Sequence, residues 1–180
     1  MGIVPLLSRP GASEYASYFA RYVELVPEAD VLTVLENQLK EVARLGEQIP
    51  AHRETFRYAE GKWSIREVFG HLTDAERVFG YRAFCISRGE IAPLPAFDEN
   101  TYVQQSGYTE RPLADLITEF NFVRSGNLAF LRCLDDRAWR RIGTASNKPI
   151  SVHALAFIMV GHVRHHFNAI RTRYGVSLVP

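Results

Sequence analysis

The stretch Gly161-His162-Val163-Arg164-His165-His166-Phe167 constrains this chain more than any other. Three of the six histidines fall within five residues, inside a run from 152 to 174 that contains no proline. On a helix, residues three and four apart share a face. His162, His165 and His166 then look in nearly one direction, in line with Leu155, Ile158 and Met159 before them and Ala169 and Ile170 after them. The histidines thus interrupt the apolar stripe of an amphipathic helix and belong to its core side. An imidazole pair at i, i+4 on such a stripe offers two nitrogens to one metal ion. It also fits a plainer reading, in which the rings are satisfied core residues. A third ligand from elsewhere would separate the two.

The remainder of the chain sets the frame for that helix. Its 180 residues suit one domain with one core. With 47% hydrophobic and 23% charged residues, the composition is that of an ordinary globular protein. A formal net charge of +1 provides no basic field for nucleic acid. The densest basic patch, Arg137-Ala138-Trp139-Arg140-Arg141, reads as a solvated segment. Cys85 and Cys133 match no metal or redox spacing and are expected as buried, reduced thiols. Residues 1–10 carry a short apolar patch broken by Pro5, unlike a signal peptide. The apolar run at 154–160 is far short of a membrane span. A cytoplasmic location follows as the expectation.

Helix signals recur along the chain. Residues 1–29 read as a leader with a short helix at 14–25, and residues 30–180 as the domain proper. A first long helix is predicted at 30–49, capped by Asp30 and stopped by Pro50. The second, at 64–88, opens on Ser64-Ile65-Arg66-Glu67, a capping box in which hydroxyl and carboxylate each satisfy an orphan N–H. A loop spans 90–111, long enough to suggest function. A third helix is predicted at 112–134, starting at Pro112, and a fourth from Ser151 to a terminal Gly175. Four helices and no convincing strand predict an all-α fold, a four-helix bundle.

His71 lies two turns into the second helix, with Val68, Ala75 and Val78 on its face. Two helices therefore each turn histidine towards the core. Buried imidazoles need partners, and a cation shared between them meets that need.

The string Lys62-Trp63-Ser64-Ile65-Arg66-Glu67-Val68-Phe69-Gly70-His71-Leu72-Thr73-Asp74-Ala75-Glu76, with Gly161-His162-Val163-Arg164-His165-His166, resembles the paired signatures of the DinB/YfiT-like superfamily. Pro95-Ala96-Phe97-Asp98-Glu99-Asn100 resembles a loop motif of one branch. The resemblance spans residues 30–175 and implies a bundle of up-down-down-up topology with one divalent metal ion, zinc or nickel. It implies His71, His162 and His166 as ligands and His165 as an adjacent non-ligand. It also implies a metal-dependent hydrolase, or an S-transferase or isomerase using a low-molecular-weight thiol. Phe167-Asn168-Ala169 departs from the small residue and Gly-Gln found in many members.

His153, half a helical turn from His162, is set aside as a ligand, and His52 is placed in solvent. Asp74 has two readings: it orients a ligand imidazole, or it pairs with Arg77 at the surface. Glu67 is assigned to the capping box, and Trp63 and Phe69 to the core. Asp98 and Tyr102 are candidates to overhang the metal from the long loop, and Asp74 or Asp98 to move protons. The expected partners are a small-molecule substrate and, where the chain self-associates, a second copy in a homodimer; nucleic acid and membrane are not among them. A metal-stabilised stress-response or binding module without turnover is the other functional reading. A plugged site would favour it.

Overall fold

A computed structural model describes residues 8–176; the N-terminal patch read above lies largely outside them, as do residues 177–180. Helix α1 (Ala20–Val23) follows two short 3-10 turns. Next come α2 (Val31–Glu47), α3 (Ile65–Ser87), the short α4 (Glu99–Gln105), α5 (Leu113–Leu131) and the short α6 (Asp136–Trp139). A hairpin of β1 (Ile142–Ala145) and β2 (Lys148–Ser151) leads into α7 (Val152–Arg173).

The four long helices form the expected bundle, and their pairings define its topology. Between α3 and α5, Arg77 meets Glu119, Glu76 meets Arg124, and Phe84 meets Phe130, so the two run parallel. Between α2 and α5, Glu36 meets Arg132 while Gln38 meets Arg124, an antiparallel order. Phe69 packs on Phe167, and Phe79 on His162, which makes α3 and α7 antiparallel as well. The result is up-down-down-up.

The caps form where the local chemistry demands them. Asp30 and Ser151 accept from the N–H groups of Thr33 and Ala154. Ser64 and Glu67 close the capping box, with the Ser64 N–H donating to Glu67 at 2.6 Å. Gly175 ends α7 in the left-handed region at φ 61°.

Several expectations are corrected. The leader helix is broken into 3-10 turns and the four-residue α1. It is also part of the core: Tyr22, Val23 and Val26 are buried, and α1 packs on α7. A Cβ on Gly161 would sit 2.0 Å from the Tyr22 backbone oxygen, so glycine sets how closely these segments approach. The long loop holds α4. The last connection holds α6 and the hairpin, whose register pairs Ala145 with Lys148 around a two-residue turn. Every residue of α7 from Val152 to Val163 is buried, because α1, α6 and the hairpin cover the side that an amphipathic helix would leave to water. The thiols are free, and neither is buried as expected: Cys85 is half-buried and Cys133 exposed. Among the described residues no helix is long and apolar enough to cross a membrane.

Candidate metal centre

His71 from α3 and His162 and His166 from α7 meet in the bundle. The Nε2 atom of His162 lies 3.0 Å from that of His71 and 3.1 Å from that of His166. One nitrogen from each of the three falls within 4.8 Å of the others. The helices explain the convergence: the i, i+4 spacing stacks two rings on α7, and antiparallel α3 brings the third across.

Burial fixes the protonation of the rings. It lowers the pKa of His71 to about 4, helped by the charge of His165. It drives His162 and His166 well below the usual histidine value, and the neighbouring imidazoles add to the effect. All three are neutral at pH 7. An imidazole nitrogen carries either a proton or a lone pair, so His162 Nε2 cannot donate to one partner while accepting from the other. A cation held by three lone pairs removes that conflict. The observed separations are close to the ~3.3–3.4 Å expected between donors ~2.0–2.1 Å from a tetrahedral ion. The donor set therefore fits a divalent metal.

Aromatic rings enclose the triad. Trp63 lies 4.6 Å from His71, centroid to centroid, and stacks over His166 at 6.3 Å. Tyr22 and Phe79 meet His162 edge-on at 5.4 and 5.7 Å. A cavity of about 520 Å³ reaches His71 and His162, walled by Tyr22, Phe79, Arg82 and Phe97 among others. A second, of about 420 Å³, reaches His166 past Trp63 and His165. The larger volume is in the range that holds small molecules.

His165 stays outside the cluster, with its ring against Tyr22 at 5.3 Å. His153 lies apart, 3.4 Å from the Glu14 carboxylate, and His52 is exposed. The carboxylates proposed for chemistry are engaged elsewhere. Asp74 accepts from the Tyr108 hydroxyl at 2.7 Å and feels the charge of Arg77, whose guanidinium pairs with Glu119. Burial raises the Asp74 pKa in spite of that bond. The Nδ1 atom of His71 is buried without a hydrogen-bond partner, so no carboxylate orients that ring. Asp98 is exposed and caps α4, accepting from the N–H groups of Asn100 and Thr101. Tyr102 is half exposed and packs on Phe97, outside the cavity wall. Sequence reasoning missed Tyr22, Phe79 and Arg82 and placed Trp63 only in the core. The one available signal was a tryptophan directly before the cap of the helix that carries His71.

Comparison with known proteins places this geometry. The model of the DinB superfamily matches residues 34–170. Among solved structures, YfiT from Bacillus subtilis, a probable metal-dependent hydrolase with an unusual four-helix bundle topology, aligns over 95% of each chain with a TM-score of 0.69 and 19% identity. A mycothiol-dependent maleylpyruvate isomerase aligns over 86% of this chain and 63% of its own, with a TM-score of 0.66 and 15% identity. Comparison with curated proteins gives no match. At these identities the likeness is one of fold.

Proposed function

Since the chain belongs to the DinB superfamily, we propose that it is a metal-dependent enzyme that hydrolyses a small molecule or transfers a thiol to it. The observation that carries this reading is the neutral histidine triad, two of whose rings, His71 and His162, line a cavity of about 520 Å³. A non-catalytic module needs the ligands but not the cavity.

His71, His162 and His166 would hold the ion through Nε2, with zinc or nickel favoured by three nitrogen donors. When bound, the ion supplies a Lewis acid with an open face, able to polarise a carbonyl or phosphoryl oxygen or to hold a thiol as thiolate. The protein supplies the rest. Burial keeps the donor rings unprotonated, and Trp63, Tyr22 and Phe79 fix their orientation and limit water around them. No carboxylate belongs to the donor cluster, so a bound divalent ion keeps its full charge. The hydrolase reading of YfiT supports the first reaction, and the mycothiol dependence of the isomerase supports a low-molecular-weight thiol for the second.

Elemental analysis tests the ligands. Purified protein should carry one divalent ion per chain; His166→Ala should lose it and His165→Ala retain it. Equal loss in both variants would show the assignment to be wrong. Cobalt-loaded protein should then shift its visible spectrum on addition of a thiol or carboxylate. No response to thiols, carboxylates or pH would mark a closed site, and the enzyme reading would fall.

A further inference from the structure

Two arginines are buried in the bundle, and they are treated differently. Arg124 has a carboxylate: its Nε and Nη2 donate to the two oxygens of Glu76 at 2.8 and 2.9 Å. Arg82 has none. It is only 3% exposed and forms no ion pair among the described residues. Its Nη2 donates to the Pro95 carbonyl at 2.8 Å and to the Ser146 hydroxyl at 3.1 Å. Nε and Nη1 have no partner among the described residues. Arg82 lines the larger cavity together with His71 and His162, and it also borders a smaller one of about 290 Å³ beside Pro95. Burial alone perturbs the guanidinium, weakening its hold on its proton, with no carboxylate nearby to offset that cost.

The turn that holds Arg82 carries its own cost. Ser146 and Asn147 make the two-residue hairpin loop with φ of 51° and 60°, both left-handed. Such loops favour asparagine and glycine, and serine is disfavoured there. Serine at that position supplies the hydroxyl that accepts from Arg82. Lys148 adds a second cation to the cavity wall, and Glu99 is the one carboxylate in it. Along α3, Arg82 follows His71 by eleven residues, which puts the two on nearly one face with a rise of ~16 Å between their Cα atoms.

We propose that Arg82 anchors the carboxylate or phosphate of a small anionic substrate whose other end lies at the histidine triad. This deepens the proposed function and rests on it only for the reacting end. Anion binding at Arg82 requires no metal.

The test uses the full chain, metal-free and zinc-loaded, with glutarate and phenyl phosphate as probes and neutral glutaramide as control. Calorimetry should show binding of at least one acid and not of glutaramide, and the stronger probe identifies the anion class. In the metal-free protein, Arg82→Gln should weaken that binding about tenfold or more, and Arg82→Lys should weaken it less. Zinc content should stay at the wild-type level in both. Where Arg82→Gln does not fold, the Arg82 Nε–H resonance of the wild-type protein is the readout, and it should shift as the acid is added. Absence of binding in both forms, an unmoved resonance, or unchanged affinity in a folded Arg82→Gln protein would overturn the proposal. So would zinc-dependent binding that survives Arg82→Gln and is lost in His166→Ala. A chain that takes up no zinc yet binds acid through Arg82 would refute the metal reading and leave this one standing.

Discussion

At His71 the imidazole is held between Trp63 and the two histidines of α7, and burial sets its pKa at about 4. The unfolded chain titrates the same residue near ~6.5, so between these values the unfolded state takes up a proton that the folded state refuses. Stability of the metal-free protein should therefore fall as pH drops below ~6.5, and this contribution should level off below ~4, at a loss on the order of 3 kcal/mol from this residue. Urea midpoints between pH 7.5 and 5 measure it. His71→Gln, which cannot titrate, should remove its share of that slope and leave the shares of His162 and His166, and an unchanged slope would refute the assignment. The position of His71 was legible, because helical spacing says which residues share a face. The partners of Asp74 and Asp98 were not, because spacing is silent on what lies across from a face. Tyr108 and the α4 backbone reach those carboxylates from segments that the sequence shows only as loop.

Among the elements, α7 depends most on a residue without a side chain. Gly161 lies against the Tyr22 backbone, and Tyr22 in turn packs on His162. Gly161→Ala should push α1 away and cost about 1–3 kcal/mol, less the ~1 kcal/mol that alanine returns as a better helix former. Gly126→Ala on α5 meets nothing within 4 Å and should stabilise by up to ~1 kcal/mol. Melting temperatures of the two variants should move in opposite directions, and a shared direction would refute the close-approach argument. The long helices could be read because their caps are local: Asp30, Ser64 with Glu67, and Ser151 act within three residues of themselves. The hairpin could not. Its strands are four residues each, and its turn is Ser-Asn where an Asn-Gly pair would have announced it.

The whole molecule is tied at its centre by polar groups that no periodicity revealed, since each stands singly on its own helix. Arg124 of α5 binds Glu76 of α3 and Gln38 of α2, and Gln38 donates to the Val160 carbonyl of α7 at 3.0 Å. All four helices share this one network, next to the level of the histidines. Arg124→Met alone should cost about 3–5 kcal/mol by stranding the Glu76 charge, whereas Arg124→Met with Glu76→Leu should recover most of the loss. Chemical denaturation of the single and double variants checks this; additive losses would show that the pair is not coupled. The parallel run of α3 and α5 has a further consequence, in the order of events during synthesis. A chain that must travel back the length of the bundle before starting α5 leaves its histidines far apart, with His71 and His162 separated by 91 positions. At ~5–20 residues per second, roughly 5–20 seconds separate their emergence from a ribosome. Throughout that interval His71 has no partners with which to grip an ion. On the proposed metal reading, an ion would therefore reach a nearly finished fold, and would act as a lock on unfolding and not as a seed for folding.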